Sequence, residues 1–155
     1  MSIWIRDPLA VLARGAERGF VVDGTRIVEV VPAGAEPGRP VDAVFDAGEH
    51  VVLPGLVNTH HHFYQTLTRA VRSALNKELF DWLKALYPIW AGLSEDALDL
   101  ATRVALAELL LSGCTTTVDH HYVFPAELGH AIDIQVAAAR SLGIRVMLTR
   151  GSMNL

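Results

Sequence analysis

Cysteine and long apolar runs are both scarce in this chain of 155 residues. Cys114 stands alone, so no disulfide can form within the chain, which is typical of a protein from a reducing compartment. No stretch is long and uncharged enough to span a bilayer, and Arg6 and Asp7 interrupt the N-terminus before a signal-peptide core can form. We therefore expect a cytoplasmic protein without a membrane partner.

Concentrated charge is missing as well. The chain has 2 lysines and 11 arginines, scattered without a basic run, and its formal net charge is −4. Because nucleic acids attract clustered cations, we expect no nucleic-acid partner. Apolar residues make up 51% of the chain, which is enough to build a sizeable core. The composition therefore predicts a globular fold and excludes the binding classes that depend on strong charge.

The first 50 residues predict a small, sandwich-like β domain. Turn signals such as Asp23-Gly24 separate its short β-rich segments. These segments lie at 2–5, 20–23, 26–31 and 43–46.

After position 50 the pattern alternates strands with helices. The expected elements are a strand over 51–58, a helix from the Ser94 cap to about Leu111, a strand over 115–119, a helix over about 126–142 and a strand over 144–149. This order predicts parallel βαβ units with right-handed crossovers. The loop over 59–93 is unusually long and partly helical around 78–86, and such insertions tend to form site walls.

His60 and His62 carry the clearest chemical signal, two residues apart at the end of the first apolar strand. In extended chain the side chains of residues i and i+2 point to the same side. Two imidazoles can therefore converge on one metal ion, whereas His61 should point the other way. The alternative is that these histidines form a polar loop or satisfy backbone groups.

Polar and aromatic residues near the same strand ends are candidates for substrate binding. Of His120 and His121, alternation directs one inward, and His121 is the candidate we select. Asp119 either orients a group at the metal site or caps the following turn. Arg150 is a candidate for binding a carbonyl or an anion, with a salt bridge as the alternative. Trp82 is a candidate wall for a flat heterocycle, with packing of the long loop as the alternative.

Residues 54–62 read PGLVNTHHH, residues 81–83 read DWL ahead of Trp90, and residues 113–119 read GCTTTVD. Together these segments resemble the amidohydrolase superfamily, in particular its branch of purine, cytosine and triazine deaminases. The string over 60–69 is most similar to deaminases of 8-oxoguanine and of hydroxylated triazines. The resemblance implies an α/β fold in which residues 1–50 precede the first part of a (β/α)8 barrel over 51–155.

The same resemblance implies one divalent metal, with zinc expected and iron as the alternative, held by His60 and His62. It also implies that Gln65 pairs with the ring edge of a small heterocyclic substrate, since an amide both donates and accepts. The remaining ligands and the catalytic proton-transfer groups are expected beyond Leu155. Because a closed barrel needs roughly 250 residues, we expect an N-terminal portion of a longer protein that is homo-oligomeric at full length.

The implied reaction is hydrolytic deamination of an aminated nitrogen heterocycle, most directly 8-oxoguanine to uric acid plus ammonia. Guanine or a hydroxy-triazine is the alternative substrate within the branch. A cyclic amidase related to hydantoinase or dihydroorotase is a second alternative, and such enzymes usually bridge two metals with a modified lysine. Lys77 and Lys84 lie in the long loop, which argues against that class. An inactive binding module is the third alternative.

Overall fold

The computed structural model describes residues 1–152 and divides the chain into two units, Met1–Pro54 and Gly55–Leu155. The boundary lies a few residues after the predicted one at residue 50, because Val51–Val52 belongs to the first unit, where it pairs with Ala10–Val11. The single strand predicted over 51–58 is therefore wrong. Pro54 lacks an amide hydrogen for a sheet, and the next strand starts only at Leu56.

The first unit contains six strands. They are β1 (Ser2–Arg6), β2 (Ala10–Val11), β3 (Gly19–Asp23), β4 (Arg26–Val30), β5 (Ala43–Asp46) and β6 (Val51–Val52). Four of them form a sheet in the order β4-β3-β1-β5, with β1 antiparallel to β3 and parallel to β5, while β2 and β6 pair separately. The four longer strands lie within one residue of the segments predicted from the sequence.

Trp4 lies at the centre of this first unit. Its ring is buried with Val21 and Val31, and its indole Nε1 donates a hydrogen bond to the carbonyl oxygen of Arg18 at 2.9 Å. The neighbouring Gly19 has a φ of +91°, and a Cβ there would overlap the carbonyl oxygen of Ile5 on the paired strand. Only glycine fits this close approach of two strands without displacing backbone.

The second unit is a parallel sheet flanked by helices. Its elements are β7 (Leu56–His61), α1 (Leu79–Trp90), α2 (Glu95–Leu111), β8 (Cys114–His121), α3 (Ala131–Leu142) and β9 (Arg145–Arg150), with short 3-10 helices over Phe63–Thr68 and Arg72–Ala74 after β7. The strand order is β7-β8-β9, and both pairings are parallel. The predicted βαβ units are thus present. Within residues 1–152, no helix has the length and apolarity needed to cross a membrane.

Local sequence signals account for the start of α2 and the end of α3. Ser94 caps α2, its hydroxyl accepting from the amide of Ala97 at 3.2 Å, and Gly143 ends α3 in the left-handed region with a φ of +74°. The helix predicted from residue 126 begins instead at Ala131. The carbonyl of Pro125 accepts from the amide of Leu128, and this turn delays the helix.

Cys114 opens β8 as a packing residue. Its side chain is 3% exposed, and the thiol lies 3.1 Å from the carbonyl oxygen of Thr116. This placement is that of a small packing residue at a strand entry.

Two glycines of the first unit provide a matched test of the Gly19 contact. Both Gly19 and Gly24 have positive φ, but a Cβ at Gly24 meets no atom within 4 Å. We expect Gly24→Ala to lose about 1–2 kcal/mol of unfolding free energy from backbone strain alone, and Gly19→Ala to lose at least about 3 kcal/mol because overlap is added. Chemical denaturation of both variants measures the difference. Equal losses of unfolding free energy in the two variants would show that overlap with the Ile5 carbonyl adds nothing to the backbone strain.

Candidate metal centre

The last residues of β7 pair irregularly with β8. Asn58 lies opposite Thr117 and His61 lies opposite Asp119, so β7 contains one more residue than β8 between these two pairs. The Asn58 side chain supports the irregularity, because its Oδ1 accepts from the backbone amide of His60 at 3.1 Å. This is a β-bulge, a feature that often redirects side chains beside functional sites.

His60 and His62 converge at this strand end. Their Nε2 atoms are 3.2 Å apart, and the two rings meet edge to face with centroids 5.0 Å apart. Two nitrogens bound at about 2.0–2.1 Å to a tetrahedral zinc ion would be separated by about 3.3 Å. The separation of the pair therefore fits one metal ion.

A backbone carbonyl fixes the orientation of His62. Its Nδ1 lies 2.7 Å from the carbonyl oxygen of His120, and because a carbonyl only accepts, Nδ1 carries the proton. The lone pair of His62 is thereby on Nε2, the atom that faces His60. Such a carbonyl partner on the second ring nitrogen is typical of histidines that bind metals.

His61 points away from the pair, as alternation predicts. Its ring packs on Phe63 with centroids 5.0 Å apart, and its Nδ1 is buried without a hydrogen-bond partner among the described residues. Burial is the main cause that lowers the pKa of His61, and the nearby His62 acts in the same direction. The ring is thus held neutral beside the core.

The two histidines that end β8 face opposite sides. His120 lies beside the pair, with its ring centroid 4.8 Å from that of His60 and 6.0 Å from that of His62. His121 is fully buried, packed against Tyr64 and Phe124. The structure therefore gives the inward position to His120 and places our candidate His121 in the core on the other side of the sheet.

A buried polar network surrounds His121. Thr117, Asp119 and His121 alternate along β8 and are all fully buried. The Asp119 carboxylate accepts from the backbone amide of Phe63 at 2.6 Å and from Nε2 of Gln135 on α3 at 2.8 Å. His121 Nε2 donates to the carbonyl of Val123 at 2.7 Å, and its Nδ1 lies 3.5 Å from Gln135 Nε2.

Desolvation dominates the electrostatics of this network. Burial raises the pKa of Asp119 to about 6, against the two hydrogen bonds that favour its charged form. Burial also lowers the pKa of His121 to about 4, because imidazolium is disfavoured there. Near pH 5 the native network therefore holds its proton on the acid rather than on the base.

Gln65 lies next to the histidine pair. It belongs to the 3-10 helix directly after His62 and helps line an open pocket of about 240 Å³ together with Thr66, Arg69 and all three histidines, His60, His61 and His62. Its Nε2 donates to the hydroxyl of Tyr64 at 3.2 Å, which leaves the amide oxygen facing no protein partner in residues 1–152. The structure thus brings Gln65 and the pair together, as required of a residue that contacts a ligand on the metal.

Trp82 packs in an aromatic cluster centred on Trp90. The Trp90 ring is 1% exposed and meets Trp82, Tyr64 and Tyr87 edge to face, with centroid distances of 5.4, 5.1 and 5.6 Å. Its Nε1 donates to the hydroxyl of Thr68 at 3.1 Å. The contact of Trp82 with Trp90 is one that packs the long loop, and the cluster anchors α1 against the turn after β7.

Arg150 and Glu108 both have partners within the protein. The Arg150 guanidinium stacks on Phe124 at 3.9 Å and donates to the carbonyl of Gly129 at 3.2 Å. Glu108 on α2 forms a bidentate ion pair with Arg69, with N–O distances of 2.8 and 3.0 Å. Through this pair, Glu108 ties α2 to the segment after the histidines.

Within residues 1–152, no third histidine, cysteine or carboxylate joins the pair to form a complete metal site. A catalytic zinc site has three or more protein ligands. The described residues therefore do not by themselves complete such a site.

Parallel strands joined by helices, with two imidazoles at the carboxyl end of the first strand, are typical of α/β proteins that bind a metal at this edge of the sheet. The chain belongs to the amidohydrolase family, whose sequence model matches residues 51–155. It is 61% identical to the 8-oxoguanine deaminase of Pseudomonas aeruginosa, over 98% of this chain and 34% of that protein. It is 34% identical to the hydroxydechloroatrazine ethylaminohydrolase of Pseudomonas sp. strain ADP, over 93% of this chain and 34% of that protein.

Solved structures show the same relation. The atrazine chlorohydrolase TrzN of Arthrobacter aurescens TC1, complexed with zinc, superposes with a TM-score of 0.84 at 30% identity, covering 99% of this chain and 36% of that one. A zinc-bound adenosine deaminase of Xanthomonas campestris superposes with a TM-score of 0.66 at 26% identity, covering 83% and 28%. The chain spans about a third of the length of the curated relatives it matches.

Opposite pKa shifts in the buried network predict opposite pH dependence in two variants. In His121→Gln, Asp119 is the titrating group that remains. Between about pH 4 and 6 its carboxyl keeps a proton in the native state and loses it in the unfolded state, so the free energy of unfolding falls as the pH rises. In Asp119→Asn, His121 is the titrating group that remains. Between about pH 4 and 6.5 its imidazole is protonated in the unfolded state but not in the native state, so the free energy of unfolding rises with pH. Each change amounts to up to about 3 kcal/mol.

Denaturant titrations of the full-length protein and both variants between pH 4 and 7 measure these slopes. The wild type is the control, because its two contributions nearly cancel over this window. Parallel pH profiles for the two variants would contradict the assignment of the proton to Asp119.

Proposed function

We propose that this chain is part of a metal-dependent hydrolytic deaminase acting on an aminated nitrogen heterocycle. The observation that carries the proposal is the 3.2 Å separation of the two Nε2 atoms at the end of β7, with His62 oriented by the carbonyl of His120. The family match and the heterocycle deaminases among the relatives support the reaction class.

His60 and His62 would supply two nitrogen ligands to the metal. When bound, a zinc-like ion lowers the pKa of a coordinated water and so provides a hydroxide nucleophile near neutral pH. Neutral imidazoles suit zinc, and iron is the alternative metal. Since the proton on His62 is held at Nδ1, its Nε2 lone pair is free to bind a metal, and His60 must present its own Nε2 lone pair as well.

The three parallel strands are proposed to be the first of an eight-stranded barrel. The close superposition on TrzN supports this, and barrel enzymes place their sites at the carboxyl ends of the strands, where β7 and β8 carry their histidines. In that setting the remaining ligands and the proton-transfer groups come from later strands. The homo-oligomeric state stays a prediction.

The favoured substrate is 8-oxoguanine, with uric acid and ammonia as products. Identity of 61% to an 8-oxoguanine deaminase, against 34% to a triazine aminohydrolase, supports the purine over the triazine. Gln65 would pair with the amide-like edge of the ring, because its oxygen accepts and its nitrogen donates. His121, Trp82 and Arg150 were candidates for the same pocket, but their contacts lie within the protein.

Within residues 1–152, neither lysine is placed as the cyclic amidase alternative requires. A bridging lysine must reach the metal, whereas Lys84 is an exposed residue of α1 that pairs with Asp81 at 3.3 Å. Lys77 lies in the segment between the second 3-10 helix and α1. Neither lysine lies at a strand end.

Removal of the histidine pair tests the metal assignment. In the full-length protein, we expect His60→Ala and His62→Ala each to reduce metal occupancy by at least tenfold, because each removes one of few ligands. Elemental analysis of folded protein measures occupancy. His130→Ala is the control, since His130 pairs with Glu95 away from the strand end. Full occupancy in both pair variants would contradict the assignment.

Ammonia release tests the substrate. A coupled ammonia assay should show turnover of 8-oxoguanine above guanine, cytosine and hydroxy-triazines. We expect Gln65→Ala to lower kcat/KM about 10- to 100-fold through loss of an amide contact, while Leu67→Ala on the same 3-10 helix leaves it near the wild-type value. Turnover of ring amides without ammonia would move the protein to the cyclic amidases.

A further inference from the structure

We infer that Asp119 is a positioning residue for the metal ligands, acting through the backbone directly after His62. The inference deepens the proposed function, on which it rests for the presence of a metal. Asp119 touches neither histidine of the pair. Its carboxylate instead holds the amide of Phe63 at 2.6 Å, one residue beyond the second ligand.

Two hydrogen bonds hold the segment after β7 against the end of β8, and the Phe63 ring packs the same segment against the flanking helices. The Asp119 carboxylate accepts from the amide of Phe63, and the next residue, His120, offers its carbonyl to His62 Nδ1 at 2.7 Å. The Phe63 ring is fully buried in a cluster with Leu106 and Ala139 from the two flanking helices. Since the ring and the amide of Phe63 are both fixed, the direction in which the chain leaves His62 is fixed as well.

The bulge explains why the backbone after His62 needs these additional contacts. An extra residue between Asn58 and His61 breaks the regular ladder in the stretch that contains the first proposed ligand, His60. The backbone there has lost the sheet hydrogen bonds that would otherwise set its position. A buried carboxylate that accepts from Phe63 beyond the bulge restores a fixed point on the other side of the two ligands.

Gln135 in turn positions Asp119. Its Nε2 donates to the second carboxylate oxygen at 2.8 Å, and Gln135 is fully buried on α3. The Gln135 amide oxygen is buried without a hydrogen-bond partner among the described residues. A side chain held with one polar atom unsatisfied indicates that its orientation serves the contact with Asp119.

Metal affinity measured by competition with a chelator tests the inference in the full-length protein. We expect Asp119→Ala to bind zinc 10- to 100-fold more weakly, the usual effect of losing a group that orients a ligand. Asp119→Asn should stay within about threefold of wild type, because its Oδ1 still accepts from Phe63 and a turned Gln135 amide can present its oxygen to the new NH₂ group. Gln135→Leu should fall between the two.

Hydrogen exchange in the metal-free protein gives a second measurement. The amide of Phe63 should exchange at least about tenfold faster in Asp119→Ala and remain protected in Asp119→Asn, because only the alanine removes its acceptor. Thr102→Ala is the control for general destabilisation, since the buried Thr102 hydroxyl donates to the carbonyl of Leu98 within α2 at 2.8 Å, away from β7 and β8.

Each outcome has a definite meaning. Wild-type zinc affinity in folded Asp119→Ala overturns the inference, as does an equal loss of affinity in Thr102→Ala. A protein that binds zinc and responds to Asp119→Ala, yet releases no ammonia, contradicts the proposed function alone. A wild-type protein without zinc affinity overturns both.

Discussion

The extra residue between Asn58 and His61 decides which way the histidines face. Residues opposite one another in parallel strands share a side, so a regular ladder from the Asn58–Thr117 pair would set His60 opposite Asp119, on the side covered by helices. The bulge gives that position to His61 and turns His60 and His62 to the other side, toward His120. The approach of the two Nε2 atoms and the carbonyl contact of His62 both depend on this irregularity.

The sequence predicted the fold well where strong local signals exist. Hairpin turns, the Ser94 cap and the Gly143 terminus are short-range signals, and the elements they bound are present in the structure. It failed where two local signals compete. An apolar run over 51–58 reads as one strand, yet a proline at its centre divides it between two sheets, and the turn at Pro125 shortens the next helix in a way that hydrophobic periodicity does not reveal.

The candidate site was predictable only in part. The spacing of His60 and His62 sufficed to bring the pair together, because it depends on strand periodicity alone. The choice between His120 and His121 depends on the register of β8, which the sequence does not give; the structure puts the His120 ring beside the pair and buries His121. The link between Asp119 and Gln135 was not foreseen, since it joins residues 16 apart across a strand and a helix. A polar residue on the apolar face of α3 was the available signal.

Cys114 makes the opening of this sheet observable. The only thiol of the chain is buried where β8 begins, paired in register with Leu56 at the opposite end of the strands from the histidines. A thiol reagent can reach it only when the sheet separates or the chain unfolds locally, so the labelling rate reports the free energy of that opening. The enzyme family places its chemistry at one end of the strands, and this chain carries an intrinsic reporter at the other.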